Sequence, residues 1–214
     1  IMIELPIVNL NERHFELDDG SRRVEIYGQP IYFHKNGEIK SVDTFALYKY
    51  AGEIKNGSEE FPVKVNGLRT KYVVGEDIVN VTINGLYVDN QLVQVPNVVT
   101  PVYTQTEIFY EEIFDGVDIR VEVSPYTTRE YIIFKKNPLI GKPFDGQNIC
   151  VKYDIDGYVK TKEPYALDAN CRTVPVYETD TEKGIPVKAL YTYAYPIVLD
   201  PTISPNPTSD ATLI

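Results

Sequence analysis

Apolar and polar side chains alternate with a period of two along much of the chain. Val24-Glu25-Ile26-Tyr27, Val63-Lys64-Val65, Val79-Asn80-Val81-Thr82-Ile83 and Ile119-Arg120-Val121-Glu122-Val123 all read this way. Each predicts a strand with one face in a core and the other in water. Tyr131-Ile132-Ile133-Phe134 is a continuous apolar run, which predicts a strand buried on both faces. No window of about 12 residues, the length a helix needs, carries a helical stripe. The nearest is Thr106 to Phe114, where Ile108, Tyr110 and Phe114 fit either period; its β-rich surroundings favour a strand or short turn.

Between these segments lie turn signals. Eight of the 13 glycines directly follow Asn or Asp, at Gly20, Gly37, Gly57, Gly67, Gly85, Gly116, Gly146 and Gly157. That dipeptide suits a type I′ hairpin turn, which needs positive φ at both central residues. Turns at this spacing predict about 12 to 16 short strands and exclude a helical bundle. The expected fold is an all-β antiparallel β-sandwich, or two small β-domains in tandem. Pro96 and Pro101 each remove a ladder donor and mark the stretch from Gln94 to Pro101 as an edge or linker. The expected organisation is a β-domain over 1–95, a second over 96–200 packed on or continuous with the first, and a Pro-rich linker over 201–214 toward a following domain.

Composition narrows the function. A net charge of −10 over 214 residues repels phosphate backbones, so no nucleic-acid partner is expected. No apolar run reaches the roughly 18 residues of a membrane span. The first ten residues lack the basic and apolar regions of a signal peptide, and a chain opening on Ile1 before Met2 reads as a processed product or a fragment. Cys150 and Cys171 are too few for a zinc framework with only His14 and His34 to join them. They form either a disulfide, worth on the order of 3 kcal/mol, or two free thiols.

Nucleophilic catalysis would need a Ser or Cys beside a histidine, yet His14 and His34 both sit in ordinary strand sequence and no Gly-x-Ser-x-Gly elbow occurs. Glu111, Glu112, Asp115, Asp118 and Glu130 offer carboxylates for glycoside hydrolysis, although 31 acidic residues make such proximity commonplace. Asp154 and Asp156 beside Gly157, and Asp18-Asp19-Gly20, offer oxygen ligands for Ca2+, but neither completes an EF-hand loop. Sequons at Asn56 and Asn80 match what an Asn-rich chain gives by chance. No catalytic residue, cofactor or metal is therefore assigned.

Three blocks carry a resemblance. The first comprises Glu12-Arg13-His14-Phe15-Glu16-Leu17-Asp18-Asp19-Gly20-Ser21, Glu25-Ile26-Tyr27-Gly28-Gln29-Pro30-Ile31-Tyr32-Phe33 and Asn36-Gly37-Glu38-Ile39-Lys40-Ser41-Val42-Asp43. It resembles the opening of the β-rich module ahead of YD-repeat arrays in secreted wall-associated and RHS-like proteins, with Ile39 standing where that family has Trp. Phe114-Asp115-Gly116-Val117-Asp118-Ile119-Arg120-Val121 is similar to the module's middle, with Glu130 opening the next strand. Tyr195-Pro196-Ile197-Val198-Leu199-Asp200-Pro201-Thr202 is similar to its close, and Ser209 to Ile214 resembles the start of a DNRLRE-type domain. The resemblance implies a surface or secreted modular architecture and supplies no catalytic residue.

The expected function is a non-catalytic extracellular structural or adhesive β-module of a larger surface or particle protein. It would space or present other domains and pair with copies of itself through strand edges or Tyr-rich patches. The alternatives are a phage virion decoration or fibre protein, and a glycan-binding adhesin domain using Tyr and Asp. The expected location is extracellular, on a cell surface or in a virion.

Overall fold

The computed structural model describes residues 2–7, 9, 12–26, 32–35, 38–41, 47–57, 62–74, 77–123, 128–141, 146–157, 160–161, 164–200 and 203–204. It divides into two compact units, Ile1–Phe45 and Ala46–Ile214. The predicted break near residue 95 is therefore displaced to residue 45. The reason lies in pairing, because strands on either side of residue 95 belong to one ladder, with Asn80 opposite Asp156 and Val88 opposite Ile149.

The first unit holds β1 (Met2–Glu4), β2 (Glu12–Leu17) and β3 (Arg22–Ile26) in one antiparallel sheet, and β4 (Tyr32–Lys35) paired with β5 (Glu38–Ser41). Phe15 on β2 is buried, whereas Val24 and Ile26 on β3 are exposed. The alternation at Val24 thus predicts the strand correctly but not a buried face.

The second unit is a β-sandwich. Its first sheet takes β6 (Leu47–Tyr50), β7 (Glu53–Asn56), β8 (Val63–Asn66), β9 (Arg69–Val74), β10 (Asp77–Val88) and β11 (Gln91–Gln94). The chain then crosses to β12 (Val102–Tyr103), β13 (Glu107–Phe114), β14 (Val117–Val123) and β15 (Thr128–Phe134) of the second sheet. It returns to the first as β16 (Asn148–Asp156). After it come β17 (Lys160–Thr161), β18 (Tyr165–Leu167), β19 (Thr173–Val174), β20 (Tyr177–Glu178) and β21 (Glu182–Pro186). A single helical turn, α1 (Ala189–Thr192), and a cis Tyr195–Pro196 bond lead into β22 (Ile197–Asp200) and β23 (Ile203–Ser204).

The first sheet runs β20-β21-β16-β10-β9-β8-β7-β6, with β11 also on β10, and the second runs β12-β13-β14-β15-β22-β18-β19. All described pairings within them are antiparallel. Val79, Val81 and Ile83 of β10 and Ile149 and Val151 of β16 share one core with Ile119 and Val121 of β14 and Ile132 and Phe134 of β15. Burying each such side chain stabilises by about 1.5–3 kcal/mol. The Pro-rich 201–214 segment lies outside the described residues except for Ile203–Ser204, which pair with Lys160–Thr161 rather than standing free.

Hairpin chemistry departs from the dipeptide expectation. The turn with positive φ at both central residues is Ala51-Gly52, joining β6 to β7. At Asp115-Gly116, joining β13 to β14, only Gly116 has positive φ. Asn84-Gly85 is no turn, because it lies inside β10 where the ladder to β16 slips. Asn36-Gly37 lies outside the described residues.

Candidate functional site

The proposed carboxylate group does not converge. On β14 the core-facing positions are Val117, Ile119, Val121 and Val123, so Asp118 faces the other side of the sheet. Glu130 stands opposite Val121 and shares its core face. Asp118 and Glu130 therefore point to opposite faces of one sheet, and no substrate could lie between them.

Asp118 instead supports a bulge. The β13–β14 ladder slips between Tyr110 and Phe114, where Glu112 takes a φ of 51°. The Glu112 amide donates to Asp118 Oδ1 at 2.7 Å, and Lys135 Nζ reaches the same oxygen at 2.9 Å. Glu112 Oε1 takes Lys135 Nζ at 2.6 Å, its Oε2 accepts from the Gly116 amide at 2.9 Å, and Lys136 pairs with Asp115 at 2.8 Å. The Lys135 hydrogen bond, then that of Gly116, holds the Glu112 carboxyl below its usual range. These acids are committed to holding a turn.

Glu130 belongs to an interior polar cluster. Tyr153 on β16 donates its hydroxyl to Glu130 Oε1 and so joins the two sheets. Tyr110 donates to the Gly67 carbonyl at 3.0 Å, a second tie between them. Burial raises the Glu130 carboxyl, opposed by the Tyr153 bond and the positive charge of Lys183. Burial likewise pushes Tyr153, Tyr72 and Tyr110 up, and the charge of Glu130 adds to each. Lys183 on β21 is displaced the other way by burial, against the pull of Glu130 and Glu178.

This cluster escaped the sequence reading although a signal was there. Thr128 and Glu130 sit in phase with Ile132 and Phe134, and Lys183 in phase with Ile185. Period-two parity places all of them in the core, a harsh position for a carboxylate or an amine.

The remaining candidates are dispersed. Asp154 and Asp156 lie on the exposed face of β16 and accept from Asn84 at 3.0 Å and Asn80 at 3.4 Å. Among the described residues no three His, Cys, Asp or Glu side chains are grouped to hold a metal ion. Cys150 and Cys171 are free thiols, so the disulfide alternative is corrected. Cys150 is buried on β16, its Sγ 3.9 Å from Glu182 Oε2, with burial and then the Glu182 charge pushing the thiol up to about 12. Cys171 is exposed, at φ 59° in the turn after β18.

His14 Nε2 lies 2.9 Å from Glu12 Oε2 within β2. His34 pairs with Ile39 between β4 and β5, and its side chain lies outside the described residues. Asn56 is buried and accepts from the Val63 amide at 2.8 Å, so its sequon is closed to a glycan in the folded chain. An open cleft of about 470 Å³ is lined by Gly146, Gln147, Asn148, Pro186, Val187 and Lys188, with none of the candidate carboxylates. No described helix is long and apolar enough to cross a membrane.

Compared with known proteins, the chain matches no family model, no curated protein and no solved structure.

Proposed function

We propose that the chain is a non-catalytic structural β-module of a larger surface or particle protein, which spaces neighbouring domains and associates with a second copy of itself. The observation that carries this reading is a neutral, exposed apolar ribbon. Residues 91–106 contain no Asp, Glu, Lys or Arg in a chain of net charge −10. Along them Leu92, Val95, Val98, Val102 and Tyr103 are exposed, Val98 completely. An uncharged stretch with this many exposed apolar side chains supports an interaction site over ordinary surface scatter.

The occupant follows from charge. Two copies repel each other over most of their acidic surface, and this ribbon is where they can touch without opposing like charges. A basic partner would be drawn to the acidic faces instead. β12 closes one edge of the second sheet, and Pro101 immediately before it cannot extend that ladder. Side-chain contact about a two-fold axis is thereby favoured over open-ended strand addition. The order of the sequence blocks that resemble a surface-protein module supports an extracellular or virion setting.

Sedimentation velocity on the intact chain tests the reading. Association is expected to rise with concentration and to be lost in V98D/V102D, whose exposed positions leave folding intact. A wild-type chain that stays monomeric at high micromolar concentration, or a variant that associates equally well, overturns it.

A further inference from the structure

Lys183 and Glu178 stand directly opposite each other on the β20–β21 hairpin, which forms one edge of the first sheet. The Lys183 side chain is 2 % exposed, and its Nζ lies 3.4 Å from Glu178 Oε1. Among the described residues neither of these buried atoms has a well-aligned hydrogen-bond partner. The Glu178 side chain keeps 17 % exposure, but an ammonium shut away from water and held 3.4 Å from its carboxylate loses its hydration and recovers only part of it. The geometry points to a covalent outcome: the side chains of Lys183 and Glu178 are joined by an amide bond that the folded chain forms by itself.

The step balances without a cofactor or oxidant. One proton passes from the Lys183 ammonium to the Glu178 carboxylate, which turns the ion pair into an amine and a carboxylic acid. The Lys183 nitrogen then attacks Glu178 Cδ, a C–N bond forms, and the C–O bond to the hydroxyl breaks. The hydroxyl leaves with one amine proton as water.

Burial works toward the neutral amine at Lys183, against the charges of Glu130, Glu178 and Asp200. Glu130 is the foremost of these opposing charges, and burial moves that carboxyl itself toward its acid form despite the Tyr153 hydrogen bond. Asp200 is engaged by the Tyr165 hydroxyl. Position is supplied by the ladder itself, with Tyr177 opposite Gly184 and the Thr179 amide bonded to the Glu182 carbonyl at 2.8 Å. Holding two reactants in register replaces a bimolecular encounter by an intramolecular one. The bond would pin a two-residue edge strand that backbone pairing alone holds loosely.

Intact-mass spectrometry of the full chain is the test. The wild type is expected one water lighter than its sequence. Its tryptic peptide Thr173–Lys188 should remain uncleaved at Lys183 and carry the deficit. K183R is expected at its full sequence mass, and E178Q is expected to reach the wild-type final mass by losing ammonia instead of water. Succinimide closure at an Asp-Gly turn also releases water but would persist in K183R. A folded wild-type chain at full mass, or a deficit that survives K183R, overturns the proposal.

Discussion

At the scale of single residues several of the described acidic side chains act as internal acceptors. Asp168 is the clearest case. Its Oδ1 accepts from the amides of Asn170 and Arg172, each at 2.9 Å, and its Oδ2 from Arg172 Nε at 2.7 Å and the Ala194 amide at 3.2 Å. Burial works to raise this carboxyl, but those hydrogen bonds outweigh it and lower the group from 3.8 to about 2. Because the unfolded chain then takes up the proton first, the stabilisation is complete above pH 3.8 and disappears as pH falls through about 2. In urea titrations across this range, D168N should be less stable than wild type near neutrality and should show a flatter acid limb. Equal slopes for the two proteins would contradict that role. At Glu130, Y153F removes the hydroxyl that bonds the buried carboxyl. A loss of about 1–3 kcal/mol in unfolding free energy is expected, the usual cost of leaving a buried polar group unsatisfied.

At the scale of elements, glycine acts in two distinct ways that a stability series separates. Gly52 has φ +88° and open space around a built Cβ, so G52A meets backbone strain only, about 1–2 kcal/mol. A Cβ on Gly184 would lie 1.9 Å from the Ile149 carbonyl oxygen and 2.6 Å from Cys150 Cα, both backbone atoms of β16. Relieving that clash requires parting β21 from β16, and G184A should exceed G52A in urea unfolding, with a cost of about 3 kcal/mol or more. Strands such as β8, β14 and the Val79–Ile83 part of β10 were legible from alternation because one face of each is apolar without interruption, whereas the slip at Gly85 breaks the period in the rest of β10. Side-chain patterning did not reveal which strands share a sheet. The ladder that unites β10 with β16 pairs residues as far apart in sequence as Asn80 and Asp156, and no local signal encodes it. The site-like acids misled for a related reason. Asp118 and Glu130 are near each other along the hairpin, but strand parity turns them to opposite faces, which residue type alone does not disclose.

At the scale of the whole molecule, the hydrophobic cluster begins at Leu47 and draws every one of its buried members from the second unit. Residues 46–214 expressed alone should therefore unfold cooperatively, with a denaturant slope appropriate to their size. A broad, non-cooperative transition would show that the division at residue 45 is not a folding boundary. Association carries a sharper consequence. Each copy bears a net charge of −10, so bringing two together works against long-range repulsion that salt screens over about 8 Å at physiological ionic strength. Contact through residues 91–106 breaks no ion pair, since that ribbon contains no charged side chain. Added sodium chloride should accordingly strengthen self-association, the reverse of what binding a basic partner would show. V98D places a carboxylate at the most exposed point of the ribbon, where two copies would set like charges face to face. It should weaken association at least about tenfold, equivalent to roughly 1.4 kcal/mol, and leave a residual affinity that rises more steeply with salt than that of the wild type. Sedimentation equilibrium across a salt series measures both effects. Weaker wild-type association at high salt would mean that the copies meet through charged surfaces and not through this ribbon.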